Sequence, residues 1–187
     1  MNDDTLSLPP SQRSIVMVGL MGVGKTTVGR RLAAALNLPF ADADEEIEKA
    51  AGRPVADIFS DFGEAAFRDG ERRVISRLLE EPQAVIALGG GAFVNDDTRR
   101  MVKDKAISIW LKADLDTLME RVSRRDTRPL LQTENPRAVM ADLMARREAA
   151  YAEADIQIEG DTGPHAATVD RVLEALKNYG FTAKAAE

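Results

Sequence analysis

The chain has 187 residues, 44% of them apolar and 30% charged, with no cysteine, one histidine and a formal net charge of −6. These values fit one globular domain, and the lack of cysteine excludes disulfides, thiolate metal sites and cysteine nucleophiles, while the single His165 argues against a histidine-based triad or zinc site. The acidic balance argues against a general nucleic-acid or anionic-membrane binder, and no run approaches the roughly 18 apolar residues of a membrane span. Met1 to Gln12 lacks the charged start and apolar core of a secretory signal. The expectation is a soluble, cytoplasmic monomer whose chemistry uses carboxylates, basic groups, hydroxyls or backbone amides. One domain is expected over residues 1–187, with a core at about 14–177 and flexible tails at 1–12 and 182–187.

In chain order, Ser14 to Val18 is apolar, rich in β-branched residues and closed by Gly19, which suits a strand buried on both faces. From Lys25 the period changes: Val28, Leu32, Ala35 and Leu36 form one stripe of a helix. Leu38 to Ala41 is a second short apolar run. Glu45 to Ala51 predicts a brief acidic helix stopped by Gly52. A longer helix is expected over Glu64 to Glu80, with Phe67, Val74, Ile75 and Leu78 inward. Ala84 to Leu88 predicts a third strand ending in Gly89, Gly90 and Gly91, and Ile107 to Leu111 a fourth. Leu115, Leu118, Met119 and Val122 mark the next helix. Residues 124–136 hold two prolines and no sustained period, and are expected to form a mobile lid. Val139, Met140, Leu143 and Met144 begin a helix running to Tyr151. Ile156 to Ile158 is a fifth strand, and Val169, Val172, Leu173 and Leu176 stripe the last helix. Strands alternating with helices predict an α/β fold with a mostly parallel sheet and helices on both faces.

Gly19-Leu20-Met21-Gly22-Val23-Gly24-Lys25-Thr26 has the spacing G-x-x-x-x-G-K-[ST], with the required strand before it and helix after it. At average usage those four fixed positions coincide in roughly 1 of 200 chains this long, before the context is counted. Glycines let backbone amides approach phosphate oxygens, Lys25 reaches the β and γ phosphates, and the Thr26 hydroxyl suits a Mg²⁺ shell. Gly22, Val23, Gly24, Lys25, Thr26 and Thr27 are therefore the candidate ATP-binding residues.

A phosphate loop alone does not choose between a kinase, an ATPase and a switch. Asp42-Ala43-Asp44 follows the second strand. Residues two apart on a strand share a side, so both carboxylates are expected at the strand's C-terminal edge, one supporting Mg²⁺ and the other deprotonating an acceptor hydroxyl. An acidic helix start is the alternative. Gly89, Gly90 and Gly91 would offer backbone amides to an acceptor or a phosphoryl group, or form only a flexible turn. Arg147, four residues after Leu143, lies on the inward stripe of its helix, where a charge needs a partner. Arg128, beside Pro129, could swing over the phosphates, whereas periodicity places Arg68 less clearly.

Taken together, Gly19 to Thr27, Asp42-Ala43-Asp44, Phe67-Arg68, Gly89-Gly90-Gly91, Arg128-Pro129-Leu130-Leu131 and Arg147 four residues before Tyr151 resemble the shikimate kinase family. The resemblance covers residues 14–177 and implies a P-loop kinase fold. It implies transfer of the ATP γ-phosphoryl group to the 3-hydroxyl of shikimate, on the route to chorismate and the aromatic amino acids. It also implies that Asp44 is the catalytic base and holds the shikimate hydroxyls. Arg68 and Arg147 would grip the carboxylate, with Gly89, Gly90 and Gly91 lining the substrate. Lys25 and Arg128 would neutralise the transferring group, Thr26 and Asp42 would serve Mg²⁺, and Arg121 would face adenine, with Pro164 a weaker candidate there. Ala149-Ala150 stands where relatives often carry Pro-Leu. The rival readings are another small-metabolite kinase, such as a gluconate or nucleoside monophosphate kinase, and a nucleotide-binding switch without an acceptor.

Overall fold

The five apolar runs form one sheet in the order β2-β3-β1-β4-β5, with every neighbouring pair parallel. This computed structural model describes residues 9–124, 133–160 and 163–182. The strands are β1 (Ser14–Val18), β2 (Phe40–Asp42), β3 (Val85–Ala87), β4 (Ala106–Lys112) and β5 (Ile156–Glu159). β1 is the centre: Ile15 sits opposite Val85 on one side and Ile107 on the other, and all five of its residues are buried. That burial explains its continuous apolar run, whereas the edge strand β5 alternates inward isoleucines with outward Gln157 and Glu159.

The helices are α1 (Lys25–Leu36), α2 (Ala43–Ala51), α3 (Val55–Glu80), α4 (Asp96–Lys105), α5 (Leu115–Ser123), α6 (Pro136–Tyr151) and α7 (His165–Asn178). α1 packs with α7 and α3 with α4. Right-handed crossovers put these two pairs on opposite faces of the sheet, as expected from the alternation. Because the strands are parallel, the loops carrying the candidate residues all emerge at their C-terminal edge, where open α/β sheets bind ligands.

Two elements differ from the sequence reading. α3 begins at Val55, nine residues earlier than expected, and is broken at Gly63, whose φ of 79° and ψ of 173° are non-helical. Glycine tolerates that positive φ, so two helical pieces meet at one kink. α4 went unassigned because Asp96–Lys105 is mostly charged and only Thr98, Met101 and Val102 turn inward. Its start is instead set by Asn95, whose side chain accepts from the amides of Asp97 and Thr98 at 3.0 and 3.1 Å. Among the described residues no helix is long and apolar enough to cross a membrane.

Candidate active site

The phosphate loop joins the end of β1 to the start of α1. Gly24 is the N-cap of α1 at φ 101°, a left-handed conformation that strains other residues. A Cβ at Gly22 would lie 2.7 Å from Val122 Cγ2, so α5 packs directly on the loop. Lys25 Nζ donates to the carbonyls of Gly19 and Leu20 at 2.7 and 2.9 Å, which holds the ammonium across the loop. Arg121 Nη1 donates to the Val23 carbonyl at 3.1 Å, bringing the expected adenine-side arginine to the loop from α5.

Asp42 and Asp44 do not share a strand, contrary to the expectation from alternation. β2 ends at Asp42 and α2 begins at Ala43, so the two carboxylates do not lie on one strand face. Asp42 Oδ1 caps α2, accepting from the amides of Asp44 and Glu45 at 3.0 and 3.4 Å. Its other oxygen accepts from Thr26 Oγ1 at 2.8 Å. Asp44 stands in the first helical turn. Both still line the same cleft, because the sharp strand-to-helix turn replaces the alternation in aiming them.

At the far side, a Cβ on Gly89 would lie 2.8 Å from Asp44 Oδ1 and 3.3 Å from Glu71 Oε1. A Cβ on Gly90 would lie 3.0 Å from Arg147 Nη1, and one on Gly91 would clash with the Arg68 guanidinium. The absence of side chains at these three positions is what lets Asp44, Arg147 and Arg68 close around one loop. Arg68 Nη1 pairs with Glu71 Oε2 at 2.7 Å, and its Nε lies 3.6 Å from Glu64. Arg147 is half-buried, as its place on the inward stripe of α6 requires.

Glu71 is a site residue the sequence reading missed. It is 2% exposed, and burial pushes its carboxyl above the ordinary 4.5, while the Arg68 guanidinium pulls it back down. The signal was available: Glu71 lies four residues after Phe67 and four before Ile75, a carboxylate on an apolar stripe. His165, at the start of α7, was also missed as a site residue. Its Cε1 lies 3.1 Å from the Cβ position of Gly24. No periodicity marks it.

A cleft of about 390 Å³ brings most of these residues together, whereas Arg68, Glu71, Gly91 and Arg147 stand beside its glycine loop and do not line it. Gly22, Gly24, Lys25, Thr26 and Thr27 of the phosphate loop line it together with Arg121, Arg124 and His165, and with Asp42, Asp44, Gly89 and Gly90. Arg128 and most of the expected lid lie outside the described residues. The arrangement can seat a nucleoside triphosphate on the loop and an acidic, hydroxyl-bearing acceptor against Asp44 and the two arginines. Among the described residues no group of three or more His, Cys, Asp or Glu could hold a metal. A hydroxyl and a carboxylate, Thr26 and Asp42, are the hard oxygen donors facing the phosphate loop.

The profile of the shikimate kinase family matches residues 21–177. A shikimate kinase from Caulobacter vibrioides is 55% identical over 169 residues, which cover 90% of this chain and 84% of that one. Among solved structures, a shikimate kinase from Acinetobacter baumannii in complex with shikimate superposes with a TM-score of 0.87 at 35% identity, covering 92% of this chain and 97% of that one. A gluconokinase from Sinorhizobium meliloti reaches a TM-score of 0.65 at 19% identity, covering 90% of this chain and 94% of that one, a likeness of fold alone.

Proposed function

This chain belongs to the shikimate kinase family, and on that premise we propose that its cleft transfers the γ-phosphoryl group of ATP to the 3-hydroxyl of shikimate. The observation that carries the reading is the convergence on one cleft of a phosphate loop and an acceptor end built from Asp44, Gly89 and Gly90, with Arg147 packed against Gly90 and Arg68 against Gly91.

Lys25 and the amides of Gly22 to Thr27 bind and orient the triphosphate, with the N-terminus of α1 adding partial positive charge. Arg68 and Arg147 take the acceptor carboxylate, a planar fork matched to a planar anion. Asp44 holds the acceptor hydroxyls and removes the proton from the attacking one. The new bond forms between that oxygen and the γ-phosphorus, and the bond from the γ-phosphorus to the ADP oxygen breaks. No covalent enzyme intermediate is needed, since positioning and charge neutralisation carry phosphoryl transfer. Thr26 and Asp42 would hold Mg²⁺, directly and through water. The metal would neutralise charge on the β and γ phosphates. From its need for ATP we infer that the enzyme works in the cytoplasm, as a single-domain monomer.

Phosphorus–proton correlation on the product tests the reading. The phosphorus should couple to the proton on carbon 3 of shikimate, and coupling to another carbinol proton would contradict it.

A further inference from the structure

Gly89, Gly90 and Gly91 carry no side chains that could fix their own positions, and a run of glycines is conformationally loose. The carbonyls of Gly89 and Gly91 are held locally, accepting from the amides of Ala92 and Val94 at 3.1 and 3.2 Å. The carbonyl of Gly90 is held differently. It accepts a hydrogen bond from the hydroxyl of Tyr151, the last residue of α6.

Tyr151 is 2% exposed, and its ring packs against Trp110 of β4 with centroids 5.7 Å apart. Lys112 covers Trp110 at 4.3 Å from the ring centroid, so the aromatic pair is clamped to the central sheet. Arg147 lies one helical turn before Tyr151, on the same face of α6. Burial raises the phenol above its ordinary value of 10.0, with Arg147 as the main opposing influence. The hydroxyl therefore stays protonated across the working range and remains a donor to Gly90.

We propose that Tyr151 is a positioning residue for the acceptor pocket, its hydroxyl fixing the Gly90 backbone against the Arg147 guanidinium so that both meet the acceptor at one set separation. The proposal rests on the reading of Gly90 and Arg147 as acceptor-binding residues. It explains why a tyrosine, and not merely an aromatic ring, ends α6: the ring supplies the packing and the oxygen supplies the registration.

Tyr151→Phe keeps the ring and removes the oxygen. The expected result is a roughly fivefold to tenfold rise in shikimate KM, the size of one lost hydrogen bond. The KM for ATP and kcat should stay within about twofold. An unchanged shikimate KM, or equal changes in both KM values, would overturn the proposal. Arg147→Ala separates this from the reading beneath it. If Arg147→Ala raises shikimate KM and Tyr151→Phe does not, only the tyrosine role fails. If Arg147→Ala leaves shikimate KM unchanged, the acceptor assignment itself fails. The double variant of Tyr151→Phe with Arg147→Lys should show non-additive losses in binding, whereas additive losses would mean that the two side chains act separately.

Discussion

Thr26 Oγ1 donates a 2.8 Å hydrogen bond to Asp42 Oδ2, tying the first turn of α1 to the cap of α2. One carboxylate thus does two jobs, because its other oxygen holds the first amides of α2. The phosphate loop and the helix that carries Asp44 are coupled through a single side chain, and substitutions can separate the two jobs.

Asp42→Asn keeps a good helix cap and removes the negative charge. The Mg²⁺ concentration for half-maximal rate should rise about tenfold, the low end of the loss seen when an outer metal partner is removed. The melting temperature should barely change. Asp42→Ala should show the same metal effect and, in addition, lose about 1 kcal/mol of stability from the missing cap. A magnesium titration of Asp42→Asn that overlays the wild type would rule out the metal role.

Asp44→Asn removes the proposed base while leaving an oxygen able to hold a hydroxyl. Loss of a general base costs about 100-fold to 10,000-fold. A drop of that size in kcat is expected, with ATP affinity by calorimetry unchanged because the loop amides and Lys25 are the groups expected to hold the triphosphate. Normal turnover in the variant would remove the base assignment.

Gly89→Ala tests the acceptor end by geometry alone. The added methyl would sit 2.8 Å from Asp44 Oδ1 and must push that carboxylate aside. Misplacing a reacting group by such an amount costs up to about 100-fold. kcat/KM for shikimate should fall between about tenfold and 100-fold, with the KM for ATP within twofold. Wild-type kcat/KM would show that the position of Asp44 against this loop is immaterial.

Glu71 gives the fold a pH dependence whose sign follows from burial. Its folded pKa lies above the ordinary 4.5, so between those two values the folded chain binds more protons than the unfolded chain. The associated stability is fully present below pH 4.5 and is lost as pH rises through the raised value. Glu71→Gln removes the titration. The melting temperature of the variant relative to wild type should therefore rise from acid to neutral pH, and a difference that is flat with pH would contradict the account.

The phosphate loop was legible because its chemistry needs fixed residue types at fixed spacing between a buried strand and a helix, and nothing elsewhere in the chain is required to recognise it. Asp42 and Asp44 were legible as a pair but not in their geometry. Alternation aims both carboxylates only along a continuous strand, whereas β2 ends at Asp42 and the acidic helix start takes over. Arg147 was placed by its period in α6, but Arg68 could be placed only once Gly91 and Glu71 were seen beside it. α4 escaped notice because a helix half-covered by charge needs only a thin apolar stripe. His165 escaped because a helix's first residue has no period to read, and its neighbour Gly24 is distant in sequence.

ADP release with Mg-ATP shows whether one cleft joins the phosphate loop to an acceptor end selective for shikimate. Shikimate, gluconate and a panel of nucleoside monophosphates should be compared with no acceptor. The expected result is fast release that requires shikimate. Release driven by gluconate or a nucleotide would keep the phosphate loop and contradict the acceptor assignments, and slow release indifferent to every acceptor would contradict the kinase reading itself.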